Sequence, residues 1–360
     1  MKFILQLGND QLTPKATYYP DALKSYGFET VYLSEDRSGL SSATIANQNL
    51  IAEIASKYWL VRYIQFFTML YRYKPVAIEL YLSQRPWFIL FYFAVGKLFK
   101  KNIVVWCRGE LRNFRKHHWL RRFTNRIVLK YSDRVLLRET YMKDILTSEG
   151  LYDSQRMSFF HNCISLTKPL VDVSQNSQIV FLNSFKRFRN IELIIQAAKI
   201  LKDDNYSFEI KLVGSTLEND GYSPSSEEYE IFLRKLVTEY GLSEMVKFLP
   251  FSDSVVQHLE SARMFVLPAD IVFCNYTLLE SMSMCIPPIV TNIPESKLII
   301  EDKVDGLLVD RSASALAEAM KNLLDSSELA VALGKCARKK VFERFNIDNK
   351  AKELASFYGS

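Results

Sequence analysis

Short apolar runs alternate along this chain with segments in which apolar residues return every three or four positions. Runs of the first kind stand at Lys2–Leu7, Glu29–Leu33, Val76–Leu82, Ile103–Trp106, Arg134–Leu137 and Ser158–His161. Their length and composition predict buried strands, and the helical patterns between them predict βαβ units on a parallel sheet. The stretch Ser165–Ser177 is polar, carries a proline and shows no period, which predicts an interdomain linker. A second alternating series follows, with strands at Gln178–Asn183, Phe208–Val213, Val246–Leu249, Met264–Leu267, Pro288–Thr291 and Gly306–Val309. Ile191, Ile194, Ile195, Ala198 and Leu201 share one helical face, and Tyr229, Phe232, Leu233, Leu236, Val237 and Tyr240 form a second apolar stripe. Further helices are expected at Asn275–Met284, Ala313–Asp325 and Leu329–Phe345, and a last one after the break at Asn346. The expected fold class is α/β, with two Rossmann-like domains: residues 1–168, joined by the C-terminal helix 346–360, and residues 169–345.

Composition narrows the function classes. The 360 residues are 48% apolar and 24% charged, which suits two folded cores and argues against disorder. The net charge of +6 permits an anionic ligand or surface without demanding nucleic acid. The five cysteines are scattered and form no CxxC pair, as expected for a reducing cytoplasm. The apolar run at the N-terminus is shorter than a signal peptide requires and reads as a first strand. The most apolar stretch, Pro86–Phe99, has 14 residues. Crossing a bilayer takes about 20, so no spanning helix is expected.

The most informative stretch is Phe265–Thr291, a strand, a loop, a helix carrying Thr277-Leu278-Leu279-Glu280, and a second strand. A helix N-terminus beside a parallel-sheet edge suits a phosphate, and a carboxylate there suits ribose hydroxyls. On periodicity alone, Glu280 fits a solvated helix surface equally well.

This stretch resembles the donor-binding signature of retaining GT-B glycosyltransferases of the glycosyl transferase group 1 (family 4) type, roughly E-G-F-G-x(4)-E-A-M-A-x-G-x-P-V-V. Glu280 matches the second glutamate, Ser281-Met282-Ser283 the A-M-A, and Pro287-Pro288-Ile289 the P-V-V. The first glutamate falls on Val272, and the glycines fall on Phe273, Asn275 and Cys285. Asp270 is the nearest carboxylate to the missing one. Asn183–Asn190 resembles the family's G-R-x(4)-K-G loop, with Arg189 at the lysine and Lys186 and Arg187 beside the expected arginine. Segments ending at Gly214, Pro250 and Val309 are similar to later family landmarks in the same order, so the resemblance covers nearly all of residues 178–345. In the first half the likeness is looser: Cys107-Arg108-Gly109 resembles an R-G variant, His161–Ile164 resembles the P-N-G-I/V-D end of the acceptor domain, and Gly8 follows the first strand.

The resemblance implies a GT-B fold, two parallel sheets facing a central cleft, and transfer of a sugar from a nucleotide sugar to a glycan or lipid-linked glycan hydroxyl with retention. It places Lys186, Arg189 and Arg108 in the catalytic machinery, where fixed cations stabilise a departing diphosphate. It places Glu280, Arg187, Gly214, Asn275, Tyr276, Thr277, Leu278 and Gly8 around the donor. It implies no cofactor beyond the nucleotide sugar and no metal. His117, His118, His161 and His258 do not form a ligand set by spacing, and Asp203-Asp204 lacks D-x-D spacing.

From Arg108 to Lys130 there are eight Lys/Arg residues against Glu110 alone, with Trp119 and Phe123 interleaved. Arg115, Lys116, Arg121 and Arg122 belong to this run. Two readings stand side by side: a face for acceptor and anionic membrane, or core helices with a solvated basic side. No RNA-binding signature accompanies the cations, so nucleic acid is not an expected partner. The expected location is the cytoplasm, with peripheral contact at the inner face of the membrane. Val272 keeps an alternative open, a glycosyltransferase-like scaffold or partner subunit without catalysis. A sugar-nucleotide epimerase on the same fold is a third option.

Overall fold

The computed structural model describes residues 1–8, 18–34, 51–82, 86–107, 110–166, 169–214, 225–250, 254–272 and 274–359. The chain divides into two compact units, Met1–Cys163 with Ile347–Ser360, and Ile164–Asn346.

The first unit is built on a seven-stranded sheet in the order β3-β2-β1-β4-β5-β6-β7. The strands are β1 (Lys2–Leu7), β2 (Phe28–Ser34), β3 (Ile51–Ile54), β4 (Ala77–Tyr81), β5 (Asn102–Cys107), β6 (Arg134–Leu137) and β7 (Met157–Phe159), and every pairing is parallel. The apolar runs thus become strands within a residue or two of their expected ends. The exception is β3, four half-exposed residues at the sheet edge, too short and too polar to stand out by pattern.

Helices α1 (Tyr18–Lys24), α2 (Trp59–Tyr73), α3 (Pro86–Leu98), α4 (Trp119–Tyr131) and α5 (Tyr141–Ser148) complete the crossovers. One face of the sheet packs on α2 to α5 through Phe66, Met69, Tyr92, Phe93, Val128 and Leu146. The other face packs on α1 through Leu23 and on the final helix of the chain through Leu354 and Tyr358. Glu79 of β4 is buried between these layers and accepts hydrogen bonds from Gln6 Nε2 at 2.8 Å, Trp106 Nε1 at 2.9 Å and the Tyr358 hydroxyl. A buried carboxylate is tolerable only when so satisfied. Burial and the Glu79 charge together push the Tyr358 hydroxyl well above the ordinary tyrosine range, so it stays a donor.

The second unit carries a six-stranded parallel sheet in the order β10-β9-β8-β11-β12-β13. Its strands are β8 (Gln178–Leu182), β9 (Glu209–Gly214), β10 (Val246–Pro250), β11 (Ala262–Leu267), β12 (Pro288–Thr291) and β13 (Leu307–Val309). Its helices are α6 (Ile191–Asp203), α7 (Ser226–Glu239), α8 (Val255–Leu259), α9 (Tyr276–Ser283), α10 (Ala313–Asp325) and α11 (Ser327–Arg344). The last helix, α12 (Ile347–Gly359), belongs to the first unit, where Asn102 Nδ2 donates to the Phe357 carbonyl at 2.5 Å.

The polar stretch after Ile164 is not a loose tether. Val171 donates from its backbone to Met284, and Val173 is buried at the start of a short 3-10 turn. The buried Arg263 guanidinium donates to the carbonyls of Val173 and Ser174 and, across the unit, to Leu323. The part of the stretch from Val171 on is thus packed into the second unit, with one buried arginine satisfying two of its carbonyls.

Cys285 has φ 66°, a left-handed conformation, between α9 and β12. Its carbonyl is approached so closely by Gly334 of α11 that a Cβ on that glycine would sit 1.9 Å away. The left-handed turn explains why a glycine suits position 285: a side chain there costs roughly 1–2 kcal/mol. Cys285→Gly is therefore expected to stabilise the second unit by about 0.5–1 kcal/mol after the entropy of the extra glycine is counted. A denaturant midpoint that falls in the variant would contradict this.

Candidate active site

Strands β8, β9 and β10 run outward to one side of the second sheet, and β11 begins again on the other side of β8. The gap between the carboxyl ends of β8 and β11 is a topological switch point, the place where open parallel sheets hold ligands. The loop after β8 carries Lys186, Arg187 and Arg189; the loop after β11 leads into α9.

These two loops are stitched together. Arg189 Nη1 donates to the Ile271 carbonyl at 2.8 Å. Asn190 Nδ2 donates to the Pro268 carbonyl at 2.9 Å and to Asp270 Oδ1 at 2.8 Å. The Asp270 backbone N–H donates to the Phe188 carbonyl at 2.9 Å. Asn190 adopts φ 52°, a conformation asparagine tolerates better than most residues, and so ends the 3-10 turn Arg187–Arg189 and starts α6.

The cations do not act as one set. Arg187 is drawn away toward α7: it lies 3.7 Å from Glu192 and 5.3 Å from the ring centroids of both Tyr229 and Phe232. Burial, then the Glu192 charge, holds the Tyr229 hydroxyl far above its ordinary range, so it remains protonated and donates to Glu192. Arg189 stays with the β8–β11 edge, and Lys186 precedes it on the same half-buried turn. Arg108 lies outside the described residues.

At the start of α9 the Asn275 side chain accepts from the backbone N–H of Thr277 at 2.9 Å and of Leu278 at 3.3 Å. Thr277 Oγ1 donates to the Leu182 carbonyl at 2.8 Å, fastening α9 to the end of β8. Tyr276, Thr277 and Leu278 therefore stand at the switch point, with two of their amides already capped by Asn275. A diphosphate meets this helix start either by displacing the cap or through the dipole alone.

Glu280 is 1% exposed, which removes the solvated-surface reading of that residue. Burying a carboxylate costs several kcal/mol unless bonded, so a helix surface role does not account for it. Val272 is buried as well. The nearby Asp270 is engaged, by Asn190 and by Arg311 Nη1 at 2.5 Å.

The two site glycines answer close approaches. A Cβ on Gly214, the last residue of β9, would sit 2.2 Å from the Asn183 carbonyl. Gly8 has φ +79° and lies at the corresponding switch point of the first sheet, where β1 and β4 diverge; a Cβ there would sit 2.6 Å from the Tyr81 carbonyl. Packing alone thus requires both. Elsewhere in the first unit, Arg115 and Lys116 are exposed and Arg121 and Arg122 half-buried. Arg115 donates to Glu149 at 2.8 Å, a bond that, followed by the charge of Arg126, holds the Glu149 carboxyl below its ordinary value. The sequence reading missed Asn190, Tyr229 and Arg311; asparagine after a cationic turn was a visible signal, the other two were not.

With this geometry in view, known proteins can be compared. Residues 168–340 match the family described as Glycosyl transferases group 1, so the second unit belongs to that family. The full chain has the GT-B fold: it superposes on Anabaena Alr3699/HepE, solved in complex with UDP and glucose, with a TM-score of 0.79 over 100% of both chains at 13% identity. In sequence it is 25% identical to the mouse alpha-1,3/1,6-mannosyltransferase ALG2 over 66% of this chain and 60% of that protein. It is 24% identical to the Bacillus anthracis N-acetyl-alpha-D-glucosaminyl L-malate synthase over 60% of this chain and 54% of that protein. The matched region thus spans little more than half the length of these curated relatives.

The cap geometry carries a prediction. Asn275→Ala is expected to cost about 1 kcal/mol of stability, as lost N-caps do. If the diphosphate displaces the cap, the same variant binds UDP or GDP no more weakly than the parent in calorimetry. A tenfold loss would instead make Asn275 a direct ligand contact.

Proposed function

We propose that this chain transfers a sugar from a nucleotide sugar to a hydroxyl of a glycan or lipid-linked glycan, with retention and without a metal ion. The observation that carries the reading is the fastening of the Arg189 turn to the loop after β11, and of the start of α9 to the end of β8, at the β8–β11 switch point. As the bond between the anomeric carbon and the diphosphate breaks, negative charge grows on the leaving oxygen. Fixed cations and the positive end of a helix stabilise that charge more than they stabilise the bound donor. The same oxygen then takes the proton of the incoming hydroxyl as the new glycosidic bond forms on the same face. In this reading Glu280 holds the ribose and Arg108 contacts donor phosphate or acceptor. UDP and glucose in the Anabaena neighbour, and the mannosyltransferase name of the mouse relative, support a nucleotide-hexose donor.

Val272 favours a second reading, a scaffold or partner subunit that kept the fold without the chemistry. Titration with UDP and GDP, followed by a donor hydrolysis assay, separates the two: a scaffold binds neither nucleotide and consumes no donor. Under the transferase reading, Lys186→Ala and Arg189→Ala each weaken nucleoside diphosphate binding about tenfold or more, the loss of a charge-assisted bond of about 1.5–3 kcal/mol. Arg187→Ala changes affinity less than threefold, about 0.6 kcal/mol, because its charge is spent on Glu192, Tyr229 and Phe232. Turnover that survives excess EDTA supports the metal-free mechanism; abolished turnover restored by magnesium refutes it.

A further inference from the structure

Residues 55–132 hold sixteen Lys/Arg against two acids, Glu79 and Glu110, a net of +14. Part of this excess gathers where α3 ends. Among the described residues no helix is long and apolar enough to cross a membrane. α3, the most apolar of them, stops at Leu98 and turns through Lys100, whose φ of 53° is left-handed, into β5.

A cavity of about 570 Å³ opens beside this turn. Lys97, Lys100, Lys101, Arg134 and Arg156 line it, with Asp133 as the acid among them. The cavity sits at the amino end of the first sheet: Asn102 begins β5, Arg134 begins β6, and Arg156 precedes β7. Gly8 and the switch point it marks lie at the carboxyl end of the same sheet, a strand's length away, roughly 15–20 Å.

Two of the five cations are already matched. Lys97 pairs with Asp133 at 2.8 Å and Arg156 with Asp153 at 2.7 Å. Lys100, Lys101 and Arg134 have no acidic partner among the described residues. Arg134 is nonetheless held in place. Its Nη1 donates to the Gln155 carbonyl at 2.6 Å, and its guanidinium lies 5.0 Å from the Phe357 ring centroid. Arg156 Nη1 is likewise fixed on the Ser132 carbonyl at 2.9 Å. A guanidinium anchored through one nitrogen keeps other N–H groups for an anion, and loses little freedom in binding it. Like-signed charge in a concavity also concentrates the local potential.

The size of the surplus points to a class of ligand. Five cations less the two acids leave three positive charges. Taking off about half a charge for each of the C-termini of α3, α4 and α12 leaves about one and a half. A phosphate monoester carries about −1.5 to −2 at neutral pH and presents three strong acceptor oxygens. The volume falls in the range of small-molecule sites, so an organic ester has room beside its phosphate. The rest of the lining is polar, Asn102 and Gln155, and the one aromatic ring, Phe357, is already covered by Arg134. Such a lining suits hydroxyl groups better than an apolar tail or a base in need of a stacking face.

We propose that this cavity is a second anion site, which takes the phosphate monoester of a soluble sugar or polyol at the amino ends of β5 and β6. Lys100, Lys101 and Arg134 hold the phosphate, and Gln155 serves the hydroxyl groups. A bound ester ties the turn after α3 to the end of α12, where Asn102 Nδ2 already donates to the Phe357 carbonyl. The site is independent of the transferase reading, since it shares no residue with the β8–β11 edge.

The experiment titrates the full chain by calorimetry with glucose 6-phosphate, inorganic phosphate and glucose, with and without millimolar UDP. Glucose 6-phosphate is expected to bind one to a chain, more tightly than inorganic phosphate, less tightly as salt is raised, and equally with UDP present; glucose is expected not to bind. Amide exchange should slow in residues 98–102 and 355–359. Lys100→Gly combined with Lys101→Gln should weaken the ester at least about tenfold, as loss of charge-assisted bonds does. Glycine suits the left-handed backbone at position 100, so this variant is expected to melt no lower than the parent. Arg134→Gln should give a similar loss. No binding at millimolar ester, displacement by UDP, or lysine variants that bind as the parent does would overturn the proposal. Inorganic phosphate or glucose binding as tightly as the ester would overturn its ligand class. Phosphatidic acid carries the same group on a lipid, and retention on its vesicles without binding of the soluble ester would overturn the proposal as well.

Discussion

The candidate active site depends on one side chain, the amide of Asn190, which holds two loops that the chain itself leaves far apart. By donating to Pro268 and Asp270 it fixes the turn after β8 against the turn after β11. Its left-handed backbone lets α6 begin at once, so the preceding turn keeps Arg189 at the sheet edge. Arg189 then satisfies the Ile271 carbonyl, and Asp270 in turn receives Arg311. Parallel strands need such help: each loop at a switch point serves a different crossover, and no ladder bond joins them. A site built from them is only as well placed as the bonds across the gap.

Most strands were legible because a parallel strand buried on both faces is a continuous apolar run, and the structure keeps those runs nearly unchanged. β3 was not, because an edge strand of Ile51-Ala52-Glu53-Ile54 buries little. Asn275 before α9 was readable as a cap from residue type alone, and the structure has it capping. What the sequence could not convey is which partner wins a long side chain. Arg187 and Arg189 look equivalent in the chain, yet Tyr229 and Phe232, forty residues on, take one and leave the other. Nor does periodicity reveal that Glu280 is buried, since the helix that carries it is buried over most of its surface.

The first unit shows a different economy of charge. The acid buried at the centre of its sheet, Glu79, is surrounded by neutral donors, Gln6, Trp106 and Tyr358, although the segment that contains it is the most basic in the chain. The cations are therefore not there to satisfy the core acid. They lie outside it, on helices whose inner faces already fill the core. Glu149 offsets part of them through Arg115 and Arg126, and Asp133 offsets Lys97, but two carboxylates do not balance the run. Charge kept at the surface at this density destabilises a compact state by self-repulsion.

The substitution at Val272 bears differently on two steps of the proposed reaction. Gripping the leaving diphosphate needs positive charge, and the turn after β8 still carries it in Lys186 and Arg189. Recognising the sugar needs acceptors for its hydroxyls, and a buried valine supplies none. Asp270 does not take over that task in this arrangement, because its carboxylate already receives Asn190 and Arg311. Releasing it would cost two charge-assisted bonds and loosen the loop that positions Arg189. The loss thus falls on the choice of sugar rather than on the hold over the nucleotide. A donor whose hydroxyls are bonded from elsewhere, or one that presents an apolar group at this point, fits the valine better than a fully hydroxylated hexose does.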